Sequence, residues 1–189
     1  KAPRVLAVLD PLKVTIRNYP EEKVEEINAP YYPEDVPKEG ARVLPFSREI
    51  YIEKSDFMEK PSKGFFRLSP GQEVRLRHAY IIRCEDVIRD EKGDVCELLC
   101  LYDEATAIGS NPSDGRRIKG IIQWVSASHA LKAEVRSYDR LFTVENPSDA
   151  FIEELNPQSL KQYPEAVVEP SLAGSEKEQH FQFERHGYF

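Results

Sequence analysis

Four arginines near the middle of the sequence have the spacing of a surface that binds anions. Arg67 precedes a turn at residues 69–71, and Arg75, Arg77 and Arg83 take odd positions in the segment that follows. Side chains two residues apart lie on one face of a β-strand, so this arginine ladder is predicted to form the charged face of one strand. The even positions would form its apolar face; they hold Val74, Leu76, His78, Tyr80 and Ile82.

The overall charge of the chain shows that this positive charge is concentrated. The 189 residues carry a formal net charge of -7 at pH 7, and the sequence pI is ≈ 5.3. A hydrophobic content of 40% is enough to bury a core. The longest apolar runs fall far short of the roughly 20 residues that cross a bilayer, and no segment reads as a signal peptide. A globular, cytoplasmic protein without membrane contact is therefore expected.

The three cysteines agree with that location. Cys84, Cys96 and Cys100 cannot all pair within the chain, and their spacing does not match a zinc site. We predict free and mostly buried thiols in a reducing compartment.

Short strand patterns, separated by proline, glycine and asparagine, dominate the sequence. One convincing helix is predicted at about residues 149–155, with Ser148 as its N-cap and Asn156 and Pro157 at its end. A long hairpin is predicted to turn at residues 91–94. The predicted strands cover residues 5–9, 12–18, 24–28, 49–53, 74–89, 95–102, 117–126, 134–144 and 181–189.

This pattern predicts an all-β fold of two consecutive small antiparallel β-barrels with one short helix. A break near residues 111–115 divides the chain into a first barrel, residues 1–115, and a second, residues 116–189. A connection rich in proline and glutamate is expected at about residues 19–40. The termini are free to exchange strands between the barrels.

Catalytic motifs are missing from the sequence. It holds no glycine-rich phosphate loop, no nucleophile elbow and no His-Glu-x-x-His metal pair. Ser126, Ser128 and His129 are close in sequence, but a structural role is the better interpretation because catalysis needs a defined spatial geometry. We therefore predict no catalytic residue and no metal ligand.

The arginine ladder has two interpretations at this point. It could pair with the glutamates of residues 21–39 in an interaction module that binds no RNA. It could instead bind single-stranded RNA, because Phe65 and Phe66 beside Arg67 supply the aromatic faces on which bases stack.

Five separated motifs identify a resemblance that covers essentially the whole chain. They occupy residues 2–11, 71–80, 114–126, 138–142 and 181–189. In this order and spacing they resemble the C-terminal anticodon-binding region of bacterial glutaminyl-tRNA synthetase, a class I aminoacyl-tRNA synthetase. The twin-barrel domain of archaeal and eukaryotic glutamyl-tRNA synthetases is the closest alternative.

The resemblance implies a non-catalytic part of a larger ligase, with the second barrel truncated at its C-terminal end. Two barrels would bind the anticodon loop of tRNA(Gln). DNA is not an expected partner. Ligation of glutamine, with ATP and Mg²⁺, would take place in an N-terminal catalytic domain, which is the second expected partner. Neither signature motif of class I catalytic domains occurs in this sequence.

The resemblance also implies a set of RNA-binding residues. Arg4 and Gln182 would read the middle base of the anticodon, and Arg67 the third base. The first base and its phosphates would be held by Lys63, Arg75, Arg77 and Arg185. Arginine presents a planar fork of donors to bases and phosphates, and glutamine offers both a donor and an acceptor.

Two features depart from the family pattern. Gly64 and Phe66 stand where relatives often carry a polar and a basic residue, so a direct contact is missing or replaced by stacking. Gln182 and Arg185 are separated by an odd number of residues, which in a regular strand would direct them to opposite faces.

Overall fold

The computed structural model describes residues 2–189, apart from the side chain of Ile108. It confirms the predicted all-β class: short strands dominate, and the helical segments are 3₁₀ turns at Lys54–Asp56, Glu104–Gly109 and Pro170–Gly174. None of the helices in this range has the length and apolar character needed to span a bilayer. The strands are β1 Arg4–Val5, β2 Ala7–Val8, β3 Pro11–Ile16, β4 Glu25–Pro30, β5 Ala41–Phe46, β6 Glu49–Glu53, β7 Glu73–Leu76, β8 Ile81–Arg89, β9 Val95–Asp103, β10 Ile121–Ile122, β11 Val125–Ser126, β12 Leu131–Tyr138, β13 Leu160–Val168, β14 Gln182–Phe183 and β15 Gly187–Tyr188.

The strands form four open sheets, one of which curves into half of a barrel. The largest has the order β10-β7-β8-β9-β3-β6-β11, and two three-stranded sheets have the orders β12-β13-β2 and β1-β14-β15. Strands β4 and β5 pair as a hairpin, so part of the region from 19 to 40 is regular. The N-terminal strands β1 and β2 thus join sheets formed by the C-terminal half. The division of the chain near residue 115 stays a prediction.

Alternation of side chains explains the central strands. In β3, Leu12, Val14 and Ile16 point into the core, while Lys13 and Thr15 are half-exposed. The predicted hairpin is confirmed: β8 and β9 pair antiparallel, and the amide of residue 93 donates to the carbonyl of residue 90 across the turn.

The predicted single strand at residues 74–89 is wrong, because the chain reverses inside it. Strand β7 ends at Leu76, β8 begins at Ile81, and the two pair antiparallel. His78 lies in the turn with φ 64, a left-handed conformation that sequence patterns rarely signal outside glycine. The predicted apolar face is kept despite this reversal, because Val74, Leu76, Tyr80 and Ile82 are all buried as predicted.

The predicted helix at residues 149–155 is also wrong. Successive hydrogen bonds to the third residue back form turns there, and the Oγ atom of Ser148 accepts from the amide of Ala150, as a cap would. The capping signal is thus present, but so short a segment gains too few hydrogen bonds to offset the cost of helix nucleation.

The last predicted strand, residues 181–189, is a tight hairpin. Strands β14 and β15 pair antiparallel, and the turn between them contains Arg185 with φ 67. The amide of His186 donates to the carbonyl of Phe183 and closes this turn.

Two hydrophobic cores stabilise these sheets. Trp124 and Phe46 belong to the larger core, with ring centroids 5.0 Å apart, and Val135 and Phe183 belong to the smaller one. The three cysteines are free, and Cys84 and Cys100 are buried whereas Cys96 is exposed.

The His78 turn predicts a dependence of stability on pH. Burial, together with the positive charges of Arg77 and Arg42, lowers the pKa of His78 from its ordinary 6.5 to about 4. The unfolded chain therefore binds this proton more readily than the folded one, so stability is expected to fall as pH drops from about 6.5 towards 4. His78→Asn keeps a residue that tolerates positive φ and removes the titration.

Urea unfolding at about pH 7 and about pH 5 checks this expectation. The wild type should lose more unfolding free energy between the two pH values than His78→Asn. Equal losses in both proteins would contradict the assignment.

Candidate nucleic-acid interface

The two ends of the chain meet at the predicted middle-base residues. Strands β1 and β14 pair in parallel with Arg4 opposite Gln182, and the Nε atom of Arg4 donates to Oε1 of Gln182 at 3.3 Å. Both side chains are half-buried. This hydrogen bond thus holds together two side chains that are 178 positions apart in sequence, and they form one unit that can donate and accept hydrogen bonds.

A buried carboxylate joins two further predicted residues. Asp56, at the end of the first 3₁₀ turn, has no exposed side-chain surface. It accepts both terminal nitrogens of Arg185 at 2.7 Å, and Nε of Arg67 lies 3.2 Å from its Oδ1 atom. These hydrogen bonds raise the pKa of Arg185. Sequence analysis missed Asp56, since nothing in its local pattern distinguishes it from a solvated aspartate.

The β14 hairpin also holds Arg77. An Nη atom of Arg77 lies 3.1 Å from a carboxylate oxygen of Glu184, while the indole N–H of Trp124 donates to the Arg77 carbonyl at 2.8 Å. Residues 182–185 therefore contact Arg4 and Arg77 directly, and Arg67 through Asp56. The odd separation of Gln182 and Arg185 is explained by the turn, which removes Arg185 from the strand.

Two adjacent grooves lie beside this cluster. The first groove, about 540 Å³, is lined by residues 62–67, Gly120, Ile121 and Arg185, and includes the exposed Lys63. The second groove, about 660 Å³, is lined by residues 65–67, 71–73, 83 and 116–120. Phe65, Phe66 and Arg67 line both, so these residues form the wall between them.

Arg75 is the predicted residue that the structure does not bring to this cluster. Its guanidinium donates to the carbonyl of Ser110 at 2.7 Å, and burial lowers its pKa. It lines a third pocket with residues 111, 112 and 115–119, and this pocket shares residues 116–119 with the second groove. The other six predicted residues lie around the first groove and the β14 hairpin.

The arginine ladder does not pair with the glutamates of residues 21–39. Among the described residues, the ion pairs of Arg67 and Arg77 go to Asp56 and Glu184, and that of Arg83 goes to Glu85. The interaction-module interpretation therefore loses the ion pairs on which it depended.

The second groove contains basic residues that sequence analysis did not name. Arg117 and Lys119 are exposed, and no carboxylate in the described range pairs with either of them. Arg116 lines the same groove but differs from these two residues, because it pairs with Glu73, Asp103 and Asp114. The basic run at residues 116–119 is the sequence signal that could have identified Arg117 and Lys119.

The neighbouring serines and histidine do meet, in a structural network. The Ser47 hydroxyl donates to the carbonyl of Glu49, so the Ser126 hydroxyl must donate to Ser47 at 2.7 Å. His129 Nδ1, 2.9 Å from Ser126 Oγ, is then a donor and not a base. The structural interpretation of this cluster is therefore supported.

Comparison with known proteins agrees with this geometry. Two family models, both described as the anticodon-binding domain of class I tRNA synthetases (E and Q), match residues 2–103 and 121–189. The chain is 55% identical over 191 residues to a glutamine–tRNA ligase of Tolumonas auensis and covers 34% of that protein. It is 52% identical over 189 residues to the glutamine–tRNA ligase of Nitrobacter hamburgensis and covers 33% of it. A Pseudomonas putida relative of the same name is 50% identical over 194 residues.

In each case all of this chain is matched, and it spans about a third of the length of the relatives. The resemblance inferred from the motifs is confirmed. The chain therefore belongs to the family of anticodon-binding domains of class I tRNA synthetases for glutamate and glutamine.

Proposed function

We propose that this chain is the part of a glutamine–tRNA ligase that reads the anticodon of tRNA(Gln). The observation that carries the proposal is the convergence of Arg4, Gln182, Arg67 and Arg185 around the β14 hairpin, from segments distant in sequence; Arg67 and Arg185 of this set line the first groove. The names of the relatives favour glutamine over glutamate.

The middle base would be read by the Arg4 and Gln182 unit. Gln182 accepts from Arg4 with its amide oxygen, which leaves its NH₂ group to donate to a base edge. Arg4 keeps its terminal nitrogens for a second contact. A base that offers acceptors on one edge would therefore be favoured here.

Arg67 and Arg185 would contact the third base and the first base, with Arg77 and Lys63 at the phosphates. Arginine and lysine suit these positions because RNA presents anionic oxygens and acceptor edges. Arg75 would support this site from outside the groove, since its guanidinium is held by the carbonyl of Ser110.

The remainder of the ligase would supply the chemistry. We infer that ATP and Mg²⁺ bind in a catalytic domain outside this chain, and that this domain is its second partner. In the described residues, no group of three or more His, Cys, Asp or Glu side chains is placed to hold a metal ion. The free cysteines suit a cytoplasmic enzyme.

Binding of labelled anticodon stem-loops to the purified protein tests the proposal. The glutamine stem-loop should bind more tightly than loops with other anticodons, and log affinity should fall with log salt at a slope of about -3 if about four phosphates are neutralised. Equal binding of all loops would contradict anticodon reading, and a flat salt response would contradict phosphate contacts.

Two variants test the assigned roles. Arg67→Ala is expected to reduce discrimination at the third base by about five-fold or more, because a bidentate base contact contributes about 1 to 3 kcal/mol. Arg75→Ala should weaken all loops more evenly, since it loosens the segment held at Ser110. Anisotropy titrations of each variant against loops altered at one position provide the measurement. Identical profiles for the two variants would contradict these roles.

A further inference from the structure

We propose that the second groove binds one further nucleotide, the one that follows the third anticodon base. Its base would stack on Phe66, and its phosphate would be neutralised by Lys119 and Arg117. The inference rests on the proposed function, because Arg67 is assigned to the third base and also lines this groove. An RNA strand whose third anticodon base contacts Arg67 could therefore continue into the second groove.

The wall of the groove offers an aromatic surface. Phe66 is 54% exposed, although the ammonium group of Lys119 lies 4.8 Å from its ring centroid. An exposed aromatic ring is unfavourable in water unless something covers it. Bases stack on such rings without regard to sequence, because every base has a π-face.

The same groove also contains positive charge that no described carboxylate neutralises. Arg117 and Lys119 are exposed, and the described carboxylates leave both without an ion pair. Arg83 also lines the groove, and its side chain is 50% exposed and pairs with Glu85. An exposed aromatic ring beside cations that have no carboxylate partner is the arrangement that holds single-stranded nucleic acid.

The loop that carries these cations is fixed in place. Arg116 bonds Glu73 and Asp114, and the amide of Arg75 donates to the carbonyl of Gly120 at 3.0 Å. A Cβ at Gly120 would lie 1.8 Å from the carbonyl oxygen of Phe66, so the two loops touch through their backbones. The spacing between Phe66 and the cations is therefore set by the fold and not by the ligand.

Two variants in the full protein separate the parts of this inference. Phe66→Leu keeps an apolar side chain and removes the π-face, so the glutamine stem-loop should bind about 5- to 100-fold more weakly. Lys119→Gln should lower the salt slope by about 0.7, the share of one phosphate. Lys92→Gln, on the exposed β8–β9 turn, is the matched control and should leave the slope unchanged.

An abasic stem-loop identifies the base. Removing the base that follows the triplet should weaken binding to the wild type and have no further effect on Phe66→Leu. If both proteins lose the same affinity, or if Phe66→Leu binds as the wild type does, the inference is overturned. Failure of the wild type to discriminate among anticodons would instead overturn the proposed function, so the two failures are distinguishable. Thermal unfolding of each variant verifies that the fold is intact.

Discussion

Asp56→Asn is expected to reduce discrimination between stem-loops that differ at the third anticodon base by about ten-fold. The carboxylate has no exposed surface, and it fixes the guanidinium of Arg185 with two bonds of 2.7 Å and that of Arg67 with one of 3.2 Å. An amide offers one acceptor oxygen, so the variant loses the hydrogen bond from one terminal nitrogen of Arg185 and the negative charge that attracts both guanidinium groups. Without that support the guanidinium groups of Arg67 and Arg185 become mobile. Their contacts to a base depend on their orientation.

The charge change acts in the opposite direction, which makes the result diagnostic. Removing a negative charge beside the first groove strengthens the attraction of every phosphate. If Asp56 contributed only charge, all loops would bind more tightly and by the same factor. If it positions Arg67 and Arg185, tighter binding of mismatched loops comes with loss of preference for the matched loop. Titrations against matched and mismatched loops measure both effects at once.

Two further variants complete this test. Arg185→Lys keeps the charge but loses the paired donors, so it should show a similar loss of discrimination at the first base, which Arg185 is proposed to contact. Glu134→Gln removes the carboxylate partner of Arg136 on exposed strand β12 and should leave discrimination unchanged. Uniform tightening of all loops by Asp56→Asn would refute the positioning role.

The sequence predicted those features of the fold that depend on local pattern. Alternation along β3 and β6 and the turn at Gly93 follow from side-chain periodicity and turn chemistry. The reversals at His78 and Arg185 do not, because neither residue type favours positive φ strongly enough to be recognised. Both turns are imposed by the hydrogen bonds and packing of the sheets around them.

The candidate site was predicted unevenly for a related reason. Arg4, Gln182, Arg67 and Arg185 came from family resemblance, whereas their contacts depend on a parallel β1–β14 pairing between distant residues. No local pattern encodes that pairing. Asp56 is invisible to sequence reasoning, because its role arises only when the β14 hairpin packs on the segment that contains it.

A buried ion pair that connects β5 to the end of β13 carries the second large expectation. Arg42 and Glu169 have side-chain exposures of 2% and 1%, and Nε of Arg42 lies 2.8 Å from Oε1 of Glu169. Glu169 also accepts from the amide of Leu6 at 2.7 Å, and Arg42 donates to the carbonyl of Pro30 at 2.6 Å. The pair thus links the β4–β5 hairpin to the sheet that contains β2 and β13, and within the described range no strand ladder joins these two units.

Glu169→Ala is expected to lower the free energy of unfolding by about 3 to 5 kcal/mol, because it leaves a buried guanidinium without its counter-ion. Urea denaturation measures this loss. The matched control is Glu134→Ala, whose partner Arg136 is 54% exposed, and it should cost about 1 kcal/mol or less. The double variant Arg42→Met with Glu169→Leu should be more stable than Glu169→Ala, since no buried charge remains unpaired. A loss below about 1 kcal/mol in Glu169→Ala would mean that water reaches Arg42 and that the pair does not hold these segments together.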